Sequence, residues 1–153
     1  MNTIYLVGQI SPKFSVTYEW RKTIVDRLSS PSVTVIDPCS NKFNHKVLKN
    51  KTYAIGSDGS REFGLDVIVP KDLTFVLRSD IAIVNLNQYD KDKELLGSYF
   101  EMAWLYLHPE KTVIAFADDF NTYNCKHPFV VQTIHTWCKN EDEACEIVEK
   151  YFL

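Results

Sequence analysis

Short apolar runs alternate along this chain with longer segments in which apolar residues recur every three or four positions. An uninterrupted short apolar run is typical of a β-strand buried on both faces, as in a parallel sheet. The three-to-four-residue recurrence is typical of an amphipathic helix. We therefore predict strands at 3–7, 33–36, 81–86, 112–117 and 133–137, and helices at 16–28, 98–107, 127–131 and 141–152.

This alternation of strands and helices predicts a single α/β domain over residues 1–153. The expected architecture is a doubly wound three-layer sandwich, flavodoxin-like or Rossmann-like, with a mostly parallel sheet of roughly five strands. The segment 40–63 interrupts the alternation, because its Asn, Lys, Gly and Ser residues break every periodicity. We interpret it as a long excursion over the sheet edge, with a binding loop and a surface insertion as equal alternatives.

The charge balance argues against a polynucleotide partner. The 17 basic and 20 acidic residues give a formal net charge of -3, which offers no electrostatic footprint for a nucleic-acid backbone. Hydrophobic residues make up 45% of the chain, yet no apolar stretch approaches the roughly 20 residues that cross a bilayer. We therefore expect a cytoplasmic protein without a membrane partner.

The four cysteines form neither a metal motif nor a redox motif. Cys39, Cys125, Cys138 and Cys145 contain no Cys-x-x-Cys pair, and no histidine pair stands near them at zinc spacing. Neither a Gly-x-Gly-x-x-Gly motif nor a Walker phosphate loop occurs in the chain. We therefore predict reduced thiols, no metal site and no cofactor.

Five positions fall where a parallel sheet binds its ligands, at the carboxyl ends of the strands. Gly8 and Gln9 follow the first predicted strand, and Asn85 lies near the end of the third. Gly97 and Ser98 stand at the start of the helix that comes next. We take these five residues as candidate substrate contacts.

The sequence Gly-Ser-Tyr-Phe-Glu at 97–101 permits two interpretations. Ser98 and Glu101 have the spacing of a capping box, in which both side chains bind backbone amides at a helix start. Alternatively, Glu101 faces the ligand crevice, and the helix dipole keeps its carboxylate ionised. Such a carboxylate is a competent nucleophile towards the anomeric carbon of a sugar.

Three motifs in register resemble the nucleoside 2-deoxyribosyltransferases and the related 2'-deoxynucleoside 5'-phosphate N-hydrolases. The first is Thr3-Ile4-Tyr5 followed by Gly8. The second is Asp72-Leu73 followed by Ser79-Asp80-Ile81, and the third is the run from Gly97 to Ala103 that contains Glu101. The resemblance covers roughly residues 3–117, and the tail at 127–152 is similar more loosely.

This resemblance implies the roles of three residues. Tyr5 would orient Glu101, Glu101 would attack the anomeric carbon, and Asp72 would handle the proton or the hydrogen bond at the departing base. The implied partners are a small nucleoside or nucleotide and a free base. The resemblance also implies a homo-oligomer whose pocket is completed by a neighbouring subunit, and the aromatic residues Trp104 and Tyr106, with Trp137, would suit either that interface or the core.

One departure from the family leaves the substrate open. The residue six before the nucleophile, which reads the sugar 5' position in the family, is Leu95 here. Asp92 or Glu94 stands close enough to substitute, and Ser98 could meet a phosphate at the helix start. Base exchange, hydrolysis with water as acceptor, and a non-catalytic nucleotide-binding module on the same fold all remain open.

Overall fold

The computed structural model describes residues 2–40 and 68–153. Beyond Ser40, the segment predicted as an excursion therefore lies outside the described residues. The strands are β1 (Asn2–Gly8), β2 (Val33–Ile36), β3 (Ile81–Asn85), β4 (Thr112–Phe116) and β5 (Thr136–Cys138). The α-helices are α1 (Val16–Leu28), α2 (Ile68–Arg78), α3 (Leu96–Tyr106), α4 (Tyr123–Lys126), α5 (Pro128–Val131) and α6 (Glu141–Tyr151), and Pro38–Ser40 forms one 3-10 turn.

The five strands form one sheet in the order β2-β1-β3-β4-β5, with every neighbouring pair parallel. The predicted doubly wound α/β sandwich is thus confirmed. The strand order reverses between β1 and β3, and in such sheets the carboxyl ends at the reversal border the ligand crevice. This places the ends of β1 and β3 at the expected binding site.

Helices cover both faces of the sheet because the central strands are apolar on both sides. Ile4 and Leu6 of β1 pack with residues of α1 and α6 in one core cluster. Tyr5 and Val7 point the opposite way and pack with residues of α2 and α3 in a second cluster. Tyr5 therefore lies on the same face of the sheet as α3, which carries Glu101.

Gly8, the last residue of β1, is closely packed against neighbouring side chains. A Cβ atom built on Gly8 would lie 2.9 Å from Cζ2 of Trp20 and 3.2 Å from Cβ of Asn85. Because contacts below about 3 Å force neighbouring atoms apart, this position favours a residue without a side chain. The glycine lets α1 and β3 pack tightly against the end of β1.

Three elements differ most from the sequence prediction: α2 and α4 were not predicted, and the last strand forms at other residues. Helix α2 was not predicted, since Pro70 falls within its first turn. The last strand was predicted at 133–137 but forms at Thr136–Cys138, because Thr133 instead donates its hydroxyl to the carbonyl of Phe129 and closes α5.

All four cysteines are buried free thiols. Within residues 2–40 and 68–153, no helix is long and apolar enough to span a bilayer.

Candidate active site

A pocket of about 520 Å³ opens at the strand-order reversal, between the end of β1 and the first turns of α2 and α3. Its polar lining includes three carboxylates, Asp72, Glu94 and Glu101, and two lysines, Lys71 and Lys93. Much of the remaining wall is apolar. It is formed by Ile10, Pro38, Ile68, Val69, Leu95, Leu96, Phe100 and Trp104. The pocket therefore combines an apolar wall with a few convergent polar groups, as small-molecule sites do.

Glu101 lines this pocket and forms a buried hydrogen-bonded pair with Tyr5, which is not itself a lining residue. The Tyr5 hydroxyl donates to Oε1 of Glu101. Tyr5 is fully buried, and Glu101 is only 8% exposed. Burial, reinforced by the neighbouring Glu101 and Asp72 charges, raises the pKa of Tyr5, so the phenol stays protonated and remains a donor. The structure thus brings together the two residues that the first and third motifs contribute.

Glu101 is poised between its charged and neutral forms. Burial raises its pKa to about 7, and the negative charge of Asp72 adds to the increase. The hydrogen bond from Tyr5 and the positive charges of Arg21 and Lys71 oppose that increase. The prediction that the helix dipole keeps this carboxylate ionised is therefore wrong, since Glu101 lies beyond the first turn of α3 and loss of hydration raises its pKa.

The capping-box interpretation is also wrong. Helix α3 begins at Leu96, so Leu95 is the N-cap residue, and no side chain caps the helix. Glu101 accepts its hydrogen bond from Tyr5. Ser98 is buried in the first turn and lines the pocket.

Asp72 lies beside the pair, on α2. Nζ of Lys71 is 2.9 Å from Oδ1 of Asp72, close enough for an ion pair although not aligned as a hydrogen bond. Burial raises the pKa of Asp72, while Lys71 and Arg21 oppose that increase. A carboxyl with a raised pKa holds its proton to higher pH, which suits a group that donates a proton.

The five candidate contacts divide into three kinds. Gly8, Gly97 and Ser98 line the pocket. Gln9 also lines it, but its amide is engaged: it donates to the carbonyls of Asp90 and Lys93 and accepts from the Asp90 amide. Asn85 does not line the pocket, and its side chain bonds to the loop that follows β3, at Asn87 N and the Tyr89 hydroxyl.

The structure places Leu95, which the sequence resemblance set at the sugar 5' position, in the core. Leu95 is 2% exposed and packs in the core cluster under α3. Glu94 lines the pocket and is exposed, whereas Asp92 does not reach the lining. Of the substitutes considered from sequence, Glu94 and Ser98 are therefore the ones placed at the pocket.

Three charged residues at or near the pocket were not predicted from the sequence: Lys71, Lys93 and Arg21. Lys71 adjoins Asp72 in sequence, but α2 was not recognised as a helix that borders the pocket. Lys93 lies in an irregular loop and bonds to the carbonyl of Ile10, a contact without a sequence signal. Arg21 interrupts the apolar face of α1, and a charged residue on a buried helix face is a signal that could have identified it.

The three aromatic residues predicted to lie either at an interface or in the core differ in how far they are buried. Tyr106 is 57% exposed. Trp104 is partly buried against the cluster under α3, and Trp137 packs its ring edge-on to Phe120 at 5.5 Å. In the described part of the chain, no group of three or more His, Cys, Asp or Glu residues is arranged to hold a metal ion.

No protein-family model and no curated protein matches this sequence. Solved structures, in contrast, share its fold over nearly the whole chain. A conserved protein from Enterococcus faecalis V583 is 16% identical with a TM-score of 0.63, and the match covers 98% of both chains. The 2-deoxyribosyltransferase of Bacillus psychrosaccharolyticus is 19% identical with a TM-score of 0.60, over 97% of this chain and 91% of that one. The CMP N-glycosidase of Clostridium botulinum is 14% identical with a TM-score of 0.57, over 99% of this chain and 100% of that one.

The fold is therefore the one found in 2-deoxyribosyltransferases and in the CMP N-glycosidase, as the sequence resemblance predicted. The likeness establishes the architecture, while the chemistry must be argued from the pocket itself.

The Tyr5–Glu101 hydrogen bond can be tested through the pKa of Glu101, without any measurement of turnover. Tyr5→Phe removes the donor that favours the charged carboxylate, so the pKa of Glu101 should rise further above its value of about 7. Hydrogen bonds to charged groups contribute roughly 1.5–3 kcal/mol, which corresponds to an increase of about one pH unit or more. Carbon-13 NMR titration of labelled glutamate would measure it, with Tyr151→Phe, on the exposed end of α6, as the control. An unchanged Glu101 titration would show that the hydroxyl is not a donor in solution.

Proposed function

We propose that this protein cleaves the N-glycosidic bond of a nucleoside or nucleotide and transfers the 2-deoxyribosyl group to another base through a covalent intermediate on Glu101. The observation that carries the proposal is the buried Tyr5–Glu101 pair beside Asp72, in a pocket at the strand-order reversal. The fold shared with a 2-deoxyribosyltransferase and a CMP N-glycosidase supports it.

The arrangement accounts for each step of a double displacement. An oxygen of ionised Glu101 forms a bond to C1' while the C1'–N bond breaks and its electron pair leaves with the base. Asp72 donates a proton to the departing base. In the second half, a nitrogen of the incoming base attacks C1', the C1'–Oε bond breaks, and the proton of that nitrogen returns to Asp72. Tyr5 holds Glu101 in one orientation throughout.

The raised pKa of Glu101 fits this use of the carboxylate. A carboxylate stripped of water is a stronger nucleophile than a hydrated one, provided that it is ionised at working pH. With a pKa of about 7, a substantial fraction is charged at neutral pH. We expect the rate to fall on the acidic side of about pH 7 as Glu101 becomes protonated.

Hydrolysis is the second candidate. Leu95 breaks the pattern by which the transferases read the sugar 5' position, and one structural neighbour is a CMP N-glycosidase. Water would then attack C1' of the glycosyl-enzyme in place of a second base. Ser98 and the backbone amides at the start of α3, which no side chain caps, would suit a 5'-phosphate, so monophosphates belong among the substrates tested.

A panel of nucleosides and their 5'-monophosphates, incubated with and without a different free base, separates these reactions. A swapped nucleoside, seen by chromatography only when acceptor is present, indicates transfer. Free base released at the same rate with and without acceptor indicates hydrolysis. If neither product forms with any deoxynucleoside or ribonucleoside, while ligand binding persists, the protein is a non-catalytic module and the proposal fails.

Gly97 provides a more local test of the pocket. A Cβ atom on Gly97 meets nothing within 4 Å, so Gly97→Ala should fold normally and stabilise α3 by up to about 1 kcal/mol. The added methyl group would extend towards bound substrate, so KM should rise several-fold although the protein is at least as stable as wild type. An unchanged KM would place the substrate away from the first turn of α3. Thermal unfolding and steady-state kinetics measure the two effects separately.

We propose further that two copies of the chain associate across α3. Leu96 and Phe100 lie one turn apart on the same face of α3, are 63% and 57% exposed, and border the pocket. A second copy on this face would cover the open side of the pocket. Light scattering with size-exclusion chromatography should give an oligomer mass, and Phe100→Ser should reduce it; a monomer at all concentrations contradicts this part of the proposal.

A further inference from the structure

Arg21 places a permanently charged guanidinium inside the protein, behind the pocket. Its side chain is completely buried. Nη1 donates to the carbonyl of Leu6 at 3.2 Å, and Nη2 donates to the carbonyl of Gly8 at 2.7 Å. Since β2 pairs with β1 only as far as the partners Tyr5 and Ile36, Arg21 bonds the stretch of β1 that extends beyond β2.

Arg21 acts on three carboxylates of the described residues, Asp37, Asp72 and Glu101. Asp37 is the carboxylate ion-paired with it, and Nε of Arg21 lies 3.9 Å from Oδ1 of Asp37. Nε itself is buried and makes no hydrogen bond with a described residue. Because a buried charge is weakly screened, its field extends farther than that of a surface charge.

The charged and titratable groups around Glu101 come from three elements and one loop. Tyr5 of β1 donates a hydrogen bond, and α2 contributes Asp72 and Lys71. Lys71 is partly exposed and is paired with Asp72, so solvent and the opposite charge reduce its effect. Arg21 of α1 is the second positive charge that acts on Glu101, and it is fully buried.

The loop before α3 adds one cation and one anion to the lining of the same pocket, Lys93 and Glu94. Lys93 donates to the carbonyl of Ile10, and Glu94 is exposed to solvent.

We propose that Arg21 is a positioning residue for Glu101, which it serves by fixing the end of β1 and by supplying the buried positive charge that favours the ionised carboxylate. The first role acts through the carbonyls on either side of Val7, on the strand that carries Tyr5. The second acts through the electrostatic field, consistent with Arg21 being among the groups that lower the pKa of Glu101. The importance of Arg21 for catalysis rests on the proposed function. Its effect on the charge state of Glu101 is independent of that function.

Two neutral replacements test the electrostatic role. Arg21→Gln retains an amide that can donate to a carbonyl, and Arg21→Met fills the space with an apolar chain, a type of change that buried ionic sites often tolerate. Arg27→Gln is the matched control, because it removes the same charge from the exposed side of α1, where Arg27 pairs with Glu149. Carbon-13 NMR titration of Glu101 in the unliganded full chain provides the readout.

In either neutral Arg21 variant that folds by circular dichroism, the pKa of Glu101 should rise by about one pH unit, with no such change in Arg27→Gln. The acid limb of the pH–rate profile should move by the same amount. A Glu101 titration that matches wild type in a folded neutral variant overturns the proposal. A shifted titration without turnover in the wild type would instead leave this inference standing and remove the proposed enzymatic function.

Discussion

Glu101→Gln should reduce turnover by about a thousandfold or more, because the neutral amide cannot form the glycosyl-enzyme bond. The substitution is nearly isosteric, and its carbonyl oxygen can still accept from the Tyr5 hydroxyl. Binding of substrate should therefore change little, so the loss falls on kcat. Steady-state kinetics with the best nucleoside or monophosphate measures it, and Glu146→Gln, on the exposed side of α6, provides the matched control.

The same substitution should make the protein more stable at alkaline pH. The pKa of Glu101 is raised in the folded state, from 4.5 to about 7. A raised folded pKa means that the stability contribution of this group is complete below about pH 4.5 and is lost as pH rises through about 7. An increase of about 2.5 pH units, at about 1.4 kcal/mol for each, corresponds to roughly 3 kcal/mol.

Urea unfolding at pH 4.5 and at pH 8.5 tests this expectation. Glu101→Gln should match wild type at the lower pH and exceed its free energy of unfolding by up to about 3 kcal/mol at the higher pH. Such an inverse relation between activity and stability is common at functional sites. Equal destabilisation at both values would indicate that Glu101 serves the fold and not the chemistry.

Asp72→Asn should lower kcat about a hundredfold or more, the usual effect of removing a general acid. Asparagine can donate a hydrogen bond to the base but cannot transfer a proton. The deficit should therefore depend on the leaving group. It should nearly disappear with a 7-methylated purine nucleoside, whose base leaves without needing a proton.

Rates for a purine nucleoside and its 7-methylated analogue, compared between wild type and Asp72→Asn, give the answer. Asp26→Asn, on the exposed surface of α1, controls for the loss of one negative charge. A deficit of the same size with both substrates would mean that Asp72 binds the base without protonating it.

The regular elements were predictable because their signals are local. The run Ile81–Asn85 is apolar at nearly every position, which only a strand buried on both faces requires. Helix α1 was predicted at its observed bounds, since its apolar residues keep one spacing throughout. In contrast, the four-residue helix α4 is too short for any periodicity to appear.

Of the candidate active site, only the residues that belong to recognisable sequence motifs could be predicted. Tyr5 and Glu101 are 96 positions apart, and no local pattern indicates that they are in contact. The state of Glu101 depends on burial by the whole fold, so a rule based on the helix start gave the wrong direction. Arg21 lies on a helix that covers the other face of the sheet, and its sequence position gives no indication of its bonds to the end of β1.

The most direct test of the central claim is a search for the glycosyl-enzyme itself. A nucleoside with fluorine at C2' slows the second displacement, because fluorine disfavours the positive charge that develops at the anomeric carbon. Intact-mass measurement after rapid quenching should show one added fluoropentosyl group, and peptide mapping should assign it to Glu101. Turnover of the unfluorinated substrate with no adduct, or with an adduct on another residue, would contradict the account.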